Sequence, residues 1–208
     1  MHNAVGFYWT LPVPWAGFTA LPEDIDAAAK ASRTVRYQRE LIRRHVKELN
    51  LRLVAEKVFL EIEPDRGSQY ILDALRPLEG ICRADDSVLL YVDFSEVQGW
   101  RSHSPLSAWA RRTSIRVETV YPDDVMIDGE TYDPHRHFSE WRERQNEWTA
   151  SREERVARAL DIAGQLRAEG RTHKEIVAKL NVDNVRSASG KPWSEDGVRG
   201  LLKKKLQT

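Results

Sequence analysis

Residues 87–94 read Ser-Val-Leu-Leu-Tyr-Val-Asp-Phe (SVLLYVDF). A near-continuous apolar run of this length fits a strand buried on both faces, as in the centre of a parallel sheet. Upstream, Ile71, Leu72, Leu75 and Leu78 mark a short helix over Gln69–Leu78. Arg52–Ile62 alternates apolar and polar residues, which predicts a strand with Leu53, Val58, Leu60 and Ile62 inward. Asp24–Asn50 reads as one or two helices with a stripe of Val35, Leu41, Ile42, Val46 and Leu49. Ala4–Thr10 is a second apolar strand. Downstream, Leu106–Arg112 reads as a helix and Ser114–Tyr121 as an alternating strand. Strand and helix thus alternate through residues 1–121. That pattern predicts an α/β domain with a mostly parallel sheet, its strands near 4–10, 52–62, 87–94 and 114–121.

Leu11–Pro22 is rich in Pro, Gly and Trp, and its prolines forbid regular strand pairing. It reads as a long loop. Residues 122–134 carry acidic and turn residues and read as another loop. His137–Leu166 has no Pro and one internal Gly, which predicts a single long connecting helix. Its sparse seam of Phe138, Trp141, Trp148 and Val156 predicts a packing partner, either a second copy, in a homo-oligomer formed through residues 138–160, or the body of the same chain.

The chain has 208 residues, 41 % apolar and 31 % charged, which excludes a compositionally disordered protein. Net charge is zero but unevenly spread. Ser151–Thr208 has 13 Lys/Arg against 8 Asp/Glu, a net of +5; since the whole chain has 32 of each, residues 1–150 carry −5. A basic tail on an acidic body suggests a polyanion partner for the tail. Cys82 is the only cysteine, so an intramolecular disulfide and a Cys-based zinc site are excluded, and the residue is expected to be buried. No run approaches the roughly 18 apolar residues of a membrane span, and no basic region precedes an apolar one at the N-terminus. A cytoplasmic protein with no membrane contact is the expectation. Asp133, His135 and His137 lack further placed ligands, and Arg66-Gly67-Ser68 lacks the Gly spacing and Lys of a phosphate loop. No metal or other cofactor is expected.

The tail carries the most specific pattern. Ile162, Leu166, Ile176, Val177, Leu180, Val198, Leu201 and Leu202 have the spacing of a three-helix core. Gly170 ends one helix, Thr172 caps the next, and Asn184 and Gly190 suit turns of positive φ. Ser194 caps the last helix, with Glu195 and Asp196 in its first turn. This is the layout of a DNA-reading helix-turn-helix over residues 155–208. Arg186, Lys191, Ser194, Arg199, Lys203, Lys204 and Lys205 are its candidate contacts to double-stranded DNA, because phosphates require cations and base edges require polar groups early in the entering helix.

The tail resembles the recombinase-domain pattern of serine recombinases of the resolvase/invertase type. In that family Leu-Asn is followed at set spacings by Gly, Thr, Gly and Trp, then Val and Leu. Here Leu180-Asn181 leads to Asn184, Ser187, Gly190, Trp193, Val198 and Leu202. The body resembles the family's catalytic domain at Gly6-Phe7-Tyr8, at Tyr37–Ile42 (YQRELI), at Leu89–Asp93 and at Arg116–Val120. Phe138–Ala163 resembles an altered long dimer helix. The resemblance implies a resolvase-like domain over 1–121, a loop and long helix over 122–154, and the helix-turn-helix over 155–208.

The departures fall on the chemistry. The family opens with Tyr-x-Arg-Val-Ser, whose Ser attacks a DNA phosphodiester; here the run is Tyr8-Trp9-Thr10-Leu11-Pro12. The family's Leu-Asp-Arg-Leu-x-Arg is here Val92-Asp93-Phe94-Ser95-Glu96-Val97, which keeps the Asp and loses both arginines. Phosphoryl transfer depends on cations that stabilise developing charge. The resemblance therefore implies a catalytically inactive, DNA-binding relative that acts as a regulator or accessory recombination factor. Two other readings stand beside it. One is an active recombinase with a displaced nucleophile, for which Ser95, Ser102 and Ser104 are candidates; the other is a protein-interaction adaptor that binds no DNA. Trp100 and Trp109 are weighed as base-stacking residues against core packing, and the Trp15 loop as a cover for the vacated cleft.

Overall fold

The computed structural model describes residues 2–62, 67–97 and 102–205, with side chains as far as Lys203. In it the two most apolar runs lie side by side. β1 (Asn3–Thr10) and β3 (Val88–Val92) form the middle of a four-stranded parallel sheet, flanked by β2 (Arg52–Leu60) and β4 (Val117–Val120) in the order β2-β1-β3-β4. Every residue of β3 is buried, as the opening run predicts. In β1, Tyr8 folds its ring back over Gly6 and donates from its hydroxyl to Glu56 Oε1 at 2.8 Å. A Cβ at Gly6 would lie 2.6 Å from that hydroxyl oxygen, so the glycine makes room for the tyrosine.

α1 (Ile25–Ala31) and α2 (Arg33–Glu48) join β1 to β2. Ser32 separates them: its Oγ accepts from the Val35 N–H and starts α2. Val35, Leu41, Ile42 and Val46 are buried as the stripe predicts, but Leu49 is 49 % exposed, because the helix stops at Glu48. α3 (Ile71–Ala84) runs further than the expected short helix. It continues through Pro77 because Leu78 and Cys82 extend its buried stripe. Cys82 is buried, and burial pushes its thiol up to about 11. α4 (Ser104–Ala110) joins β3 to β4, and Trp109 donates to Glu79 Oε1 at 2.6 Å, tying α4 to α3. Trp109 is thus engaged in packing, whereas Trp100 and Arg66 lie outside the described residues.

Three expectations are corrected. Ile62 is 56 % exposed and Glu61 is buried in its place, since β2 ends at Leu60 and the alternation ends with it. Residues 122–134 are not a loop. β5 (Val125–Ile127) and β6 (Glu130–Tyr132) form an antiparallel hairpin around Asp128-Gly129, whose φ values of 56° and 81° fit a two-residue type I′ turn. Its buried Tyr132 stacks on Tyr37 of α2 with ring centroids 4.5 Å apart. Nor is the expected long helix continuous: α5 (Pro134–Ala150) and α6 (Arg152–Ala168) meet at Ser151. Thr149 donates to the Gln145 carbonyl at 2.8 Å and Ser151 to that of Glu147 at 2.9 Å, so side chains compete for helical acceptors at the junction. Phe138 and Trp141, the start of the seam expected to meet either a second copy or the body, are 2 % and 8 % exposed within the chain itself.

Contacts divide the chain into two units: residues 1–12 with 20–142, and residues 13–19 with 143–208. The second unit holds the helices α6, α7 (His173–Val182) and α8 (Glu195–Lys205). Ala159, Ala163, Ile176, Leu180, Val185, Val198 and Leu201 form its buried core, with Ile162, Leu166, Val177 and Leu202 partly buried against it. Gly170 ends α6 at φ 84°, and Thr172 and Glu175 form a reciprocal capping box on α7. The Trp15 segment belongs to this unit. Pro14 lies so close to Gly190 (φ 79°) that a Cβ there would come within 2.6 Å of the proline Cα.

Candidate functional site

The strand order reverses direction between β1 and β3. In open parallel sheets the ligand crevice lies beyond the carboxyl ends of the strands at such a point. Here that edge carries the residues that stand where the resembled family keeps its Ser and arginines, and they are packed shut. Trp9, Leu11, Phe94 and Val97 are 4 %, 6 %, 2 % and 2 % exposed. Phe94 meets Trp9 edge-on at 6.0 Å and Phe138 at 4.9 Å, and Tyr37 lies beside it at 6.1 Å. Burying each such side chain is worth about 1.5–3 kcal/mol, so packing alone keeps this edge closed. Asp93 accepts from the Ser95 N–H at 2.9 Å and shapes the turn after β3. Ser95, Ser102 and Ser104 are exposed.

Within the resembled run Tyr37–Ile42, Gln38 is fully buried and its amide spans the end of β1. It accepts from the Trp9 N–H at 3.2 Å and donates to the Trp9 carbonyl at 2.7 Å. Arg39 is held by Glu56 at 3.0 Å and Asp26 at 2.6 Å, which commits its guanidinium to two carboxylates.

The same edge holds a buried acid–imidazole pair that the sequence reading did not single out. Glu61, just past β2, and His103, at the start of α4, meet at 2.5 Å, with side chains 0 % and 2 % exposed. His103 Nδ1 accepts from the Leu106 N–H at 3.2 Å, which leaves Nε2 to carry the hydrogen it donates to Glu61. Both ring nitrogens are thus occupied, and the pair is built to hold β2 to α4 rather than to move a proton. Burial alone would raise the Glu61 carboxyl. Hydrogen bonds from His103 and from Ser68 outweigh it and hold the group below the usual carboxylate range. A Cβ on Gly67 would come within 2.6 Å of the His103 ring, so this position needs glycine for close approach.

In the tail unit the candidate contacts are distributed as follows. Lys191, Ser194, Arg199 and Lys203 are exposed on or just before α8. Ser194 Oγ accepts from the Gly197 N–H at 3.1 Å, so it caps α8 as expected. Arg199 is paired with Asp196 at 2.7 Å. Arg186 is half-buried and donates to Asn184 Oδ1 at 2.8 Å. Lys204 and Lys205 continue the backbone of α8, and their side chains lie outside the description. The Asn181 side chain accepts from the Trp193 N–H at 2.8 Å and donates to its carbonyl at 3.1 Å. This amide locks the segment 183–194 between α7 and α8, which is longer than the turn of about three or four residues in the compact helix-turn-helix. Trp193 packs against the unit's core.

Asp133, weighed as a metal ligand, accepts from the Arg136 N–H at 3.1 Å at the start of α5, and the His137 ring lies against Tyr132 at 4.8 Å. No cluster of three or more metal-ligating side chains occurs among the described residues. No described helix is long and apolar enough to cross a membrane. Searches of protein-family models, curated proteins and solved structures find no match to this chain.

Proposed function

We propose that residues 155–205 bind duplex DNA as a helix-turn-helix, with α8 as the entering helix, on a body that does not cleave it. The observation that carries this reading is the placement of Lys191, Arg199 and Lys203, all exposed, on and beside one helix whose position is fixed by the Asn181–Trp193 lock. The spacing from Leu180 to Leu202, which resembles the recombinase-domain pattern, supports the same reading. The closed sheet edge supports an inactive body, because no phosphodiester can reach side chains as buried as Trp9 and Phe94. A role as regulator or accessory recombination factor follows from DNA binding without strand cleavage.

Duplex affinity of the full chain, measured by fluorescence anisotropy across a salt series, tests the reading. Each lost phosphate contact should reduce the magnitude of the log–log salt slope by about 0.9. Replacing Lys203, Lys204 and Lys205 together with Ala should therefore weaken binding to all sequences and flatten that slope. Arg199→Ala should instead reduce discrimination between sites, since Arg199 lies one turn into α8. A folded protein that binds no duplex at low salt would transfer the assignment to the protein-interaction adaptor.

Asp196 gives a second, opposite expectation. It holds Arg199 at 2.7 Å and adds a negative charge at the proposed DNA face. Asp196→Asn should tighten duplex binding severalfold, because it removes both the competitor and the repulsion while keeping a polar residue in the first turn. Unchanged or weaker binding would place the DNA face elsewhere than on α8.

A further inference from the structure

Gly200 stands in the middle of α8, the helix assigned to the duplex. Glycine is the poorest helix former after proline, because it loses the most backbone freedom on folding. A glycine here weakens α8 unless something needs the missing side chain. Nothing described in the chain does. Gly200 is exposed, and a Cβ built on it would meet no heavy atom of another described part of the chain within 4 Å. Its backbone is helical, so no left-handed turn calls for glycine either. Gly197, three residues earlier, is different. A Cβ there would lie 3.3 Å from Ser194 Oγ and 3.4 Å from the Trp193 ring, so the cap of α8 needs that glycine.

The place of Gly200 on the helix decides which surface is left bare. Val198 and Leu201 are buried and turn α8 towards the core of its unit. Residues three and four apart are neighbours on a helix surface. Gly200 thus lies between Asp196 and Lys203 and next to Arg199, and all three of these residues are exposed. The middle of the outward face is backbone alone, framed by charged groups. Bare backbone permits the close approach of a ligand, and cations beside it suit a phosphate-bearing one.

We propose that Gly200 is the point at which α8 comes nearest the duplex. Its missing side chain leaves room for the edge of a base pair in the major groove and lets Arg199 and Lys203 reach bases and phosphates. The inference rests on the duplex-binding reading and adds to it the residue that sets how deeply the helix enters. Gly200 is then a specificity-determining position, since base edges carry the sequence information.

Gly200→Ala and Gly200→Leu test this in the full chain, with Gly80→Ala as the control. Gly80 is exposed in α3, and a Cβ there also meets no such atom within 4 Å. Alanine and leucine are strong helix formers, so both Gly200 variants should raise the hydrogen-exchange protection of α8 severalfold. Affinity for a duplex selected by the wild type from a random-sequence pool should nevertheless fall. The loss should be about tenfold for Ala and greater for Leu, as the larger side chain overfills the approach. Gly80→Ala should leave that affinity unchanged. A glycine that served only the fold would move stability and affinity in the same direction, so lower protection in either Gly200 variant would overturn the proposal. Unchanged affinity in both would overturn it too, while leaving duplex binding in place. An equal loss in Gly80→Ala would do the same. A wild type that selects no duplex at low salt would remove the duplex reading and the proposal together. A sedimentation mass that differs between wild type and Gly200→Leu without DNA would assign this face to a second copy of the chain, and so overturn the proposal.

Discussion

His103→Ala should destabilise the body by about 1–3 kcal/mol, the range for leaving a buried group without its hydrogen-bond partner. Glu61 would keep its place, fully buried, with its imidazole donor gone. Single domains are stable by about 5–15 kcal/mol, so the loss would take a large share of the total. Denaturant unfolding reads it directly. The pair also sets a pH response. The folded Glu61 carboxyl is held below its unfolded value, so its contribution is fully present above the unfolded pKa, about 4.3, and is lost as pH falls through the folded value. Acid unfolding of the wild type should therefore include a step that His103→Ala lacks. Equal acid profiles, or a loss below about 1 kcal/mol, would mean that the pair carries no structural weight.

Gly190→Ala should disrupt the second unit. A left-handed φ costs a non-glycine residue about 1–2 kcal/mol, and the new Cβ would come within 2.6 Å of Pro14 Cα and 2.8 Å of its carbonyl oxygen. Backbone cannot yield as a flexible side chain can, so the Pro14 segment must move. Gly170→Ala is the matched comparison: it has φ 84° in the same unit, and an added Cβ meets nothing within 4 Å. Gly170→Ala should show only the backbone strain. Gly190→Ala should lose more stability, release residues 13–19 to protease and weaken DNA binding. Equal effects of the two substitutions would remove the case for a Pro14–Gly190 contact.

The sheet was legible because β1 and β3 are continuous apolar runs, and such runs need burial on both faces whatever the surroundings. The caps of the tail were legible for a related reason: Thr172, Gly170 and Ser194 act on residues within four positions of themselves. The hairpin at 125–132 could have been read from Asp128-Gly129, the dipeptide that suits a type I′ turn, but strands as short as β5 and β6 leave little alternation beside it. The break at Ser151 depends on side chains competing for carbonyls, which no periodicity reports. Glu61 and His103 belong to no motif, and only the fold brings these separated residues together. The family resemblance drew attention to Gly190 and Trp193 and gave no hint that Pro14 would rest on one of them.

The Pro14–Gly190 approach also bears on how the chain reaches its fold. Residues 13–19 leave the ribosome early, yet the helices they pack with are synthesised after the whole of 20–142. The second unit therefore completes itself only after an intervening unit has been made, through contacts of very long sequence separation. Such closure is slow, because loop entropy is lost before the contact is gained. Until it occurs, an apolar segment containing Val13, Trp15 and Phe18 waits without its partners, a species prone to association. A fragment limited to residues 143–208 would lack part of its own packing for the same reason. Intact chains are thus the proper material for every binding measurement on the tail.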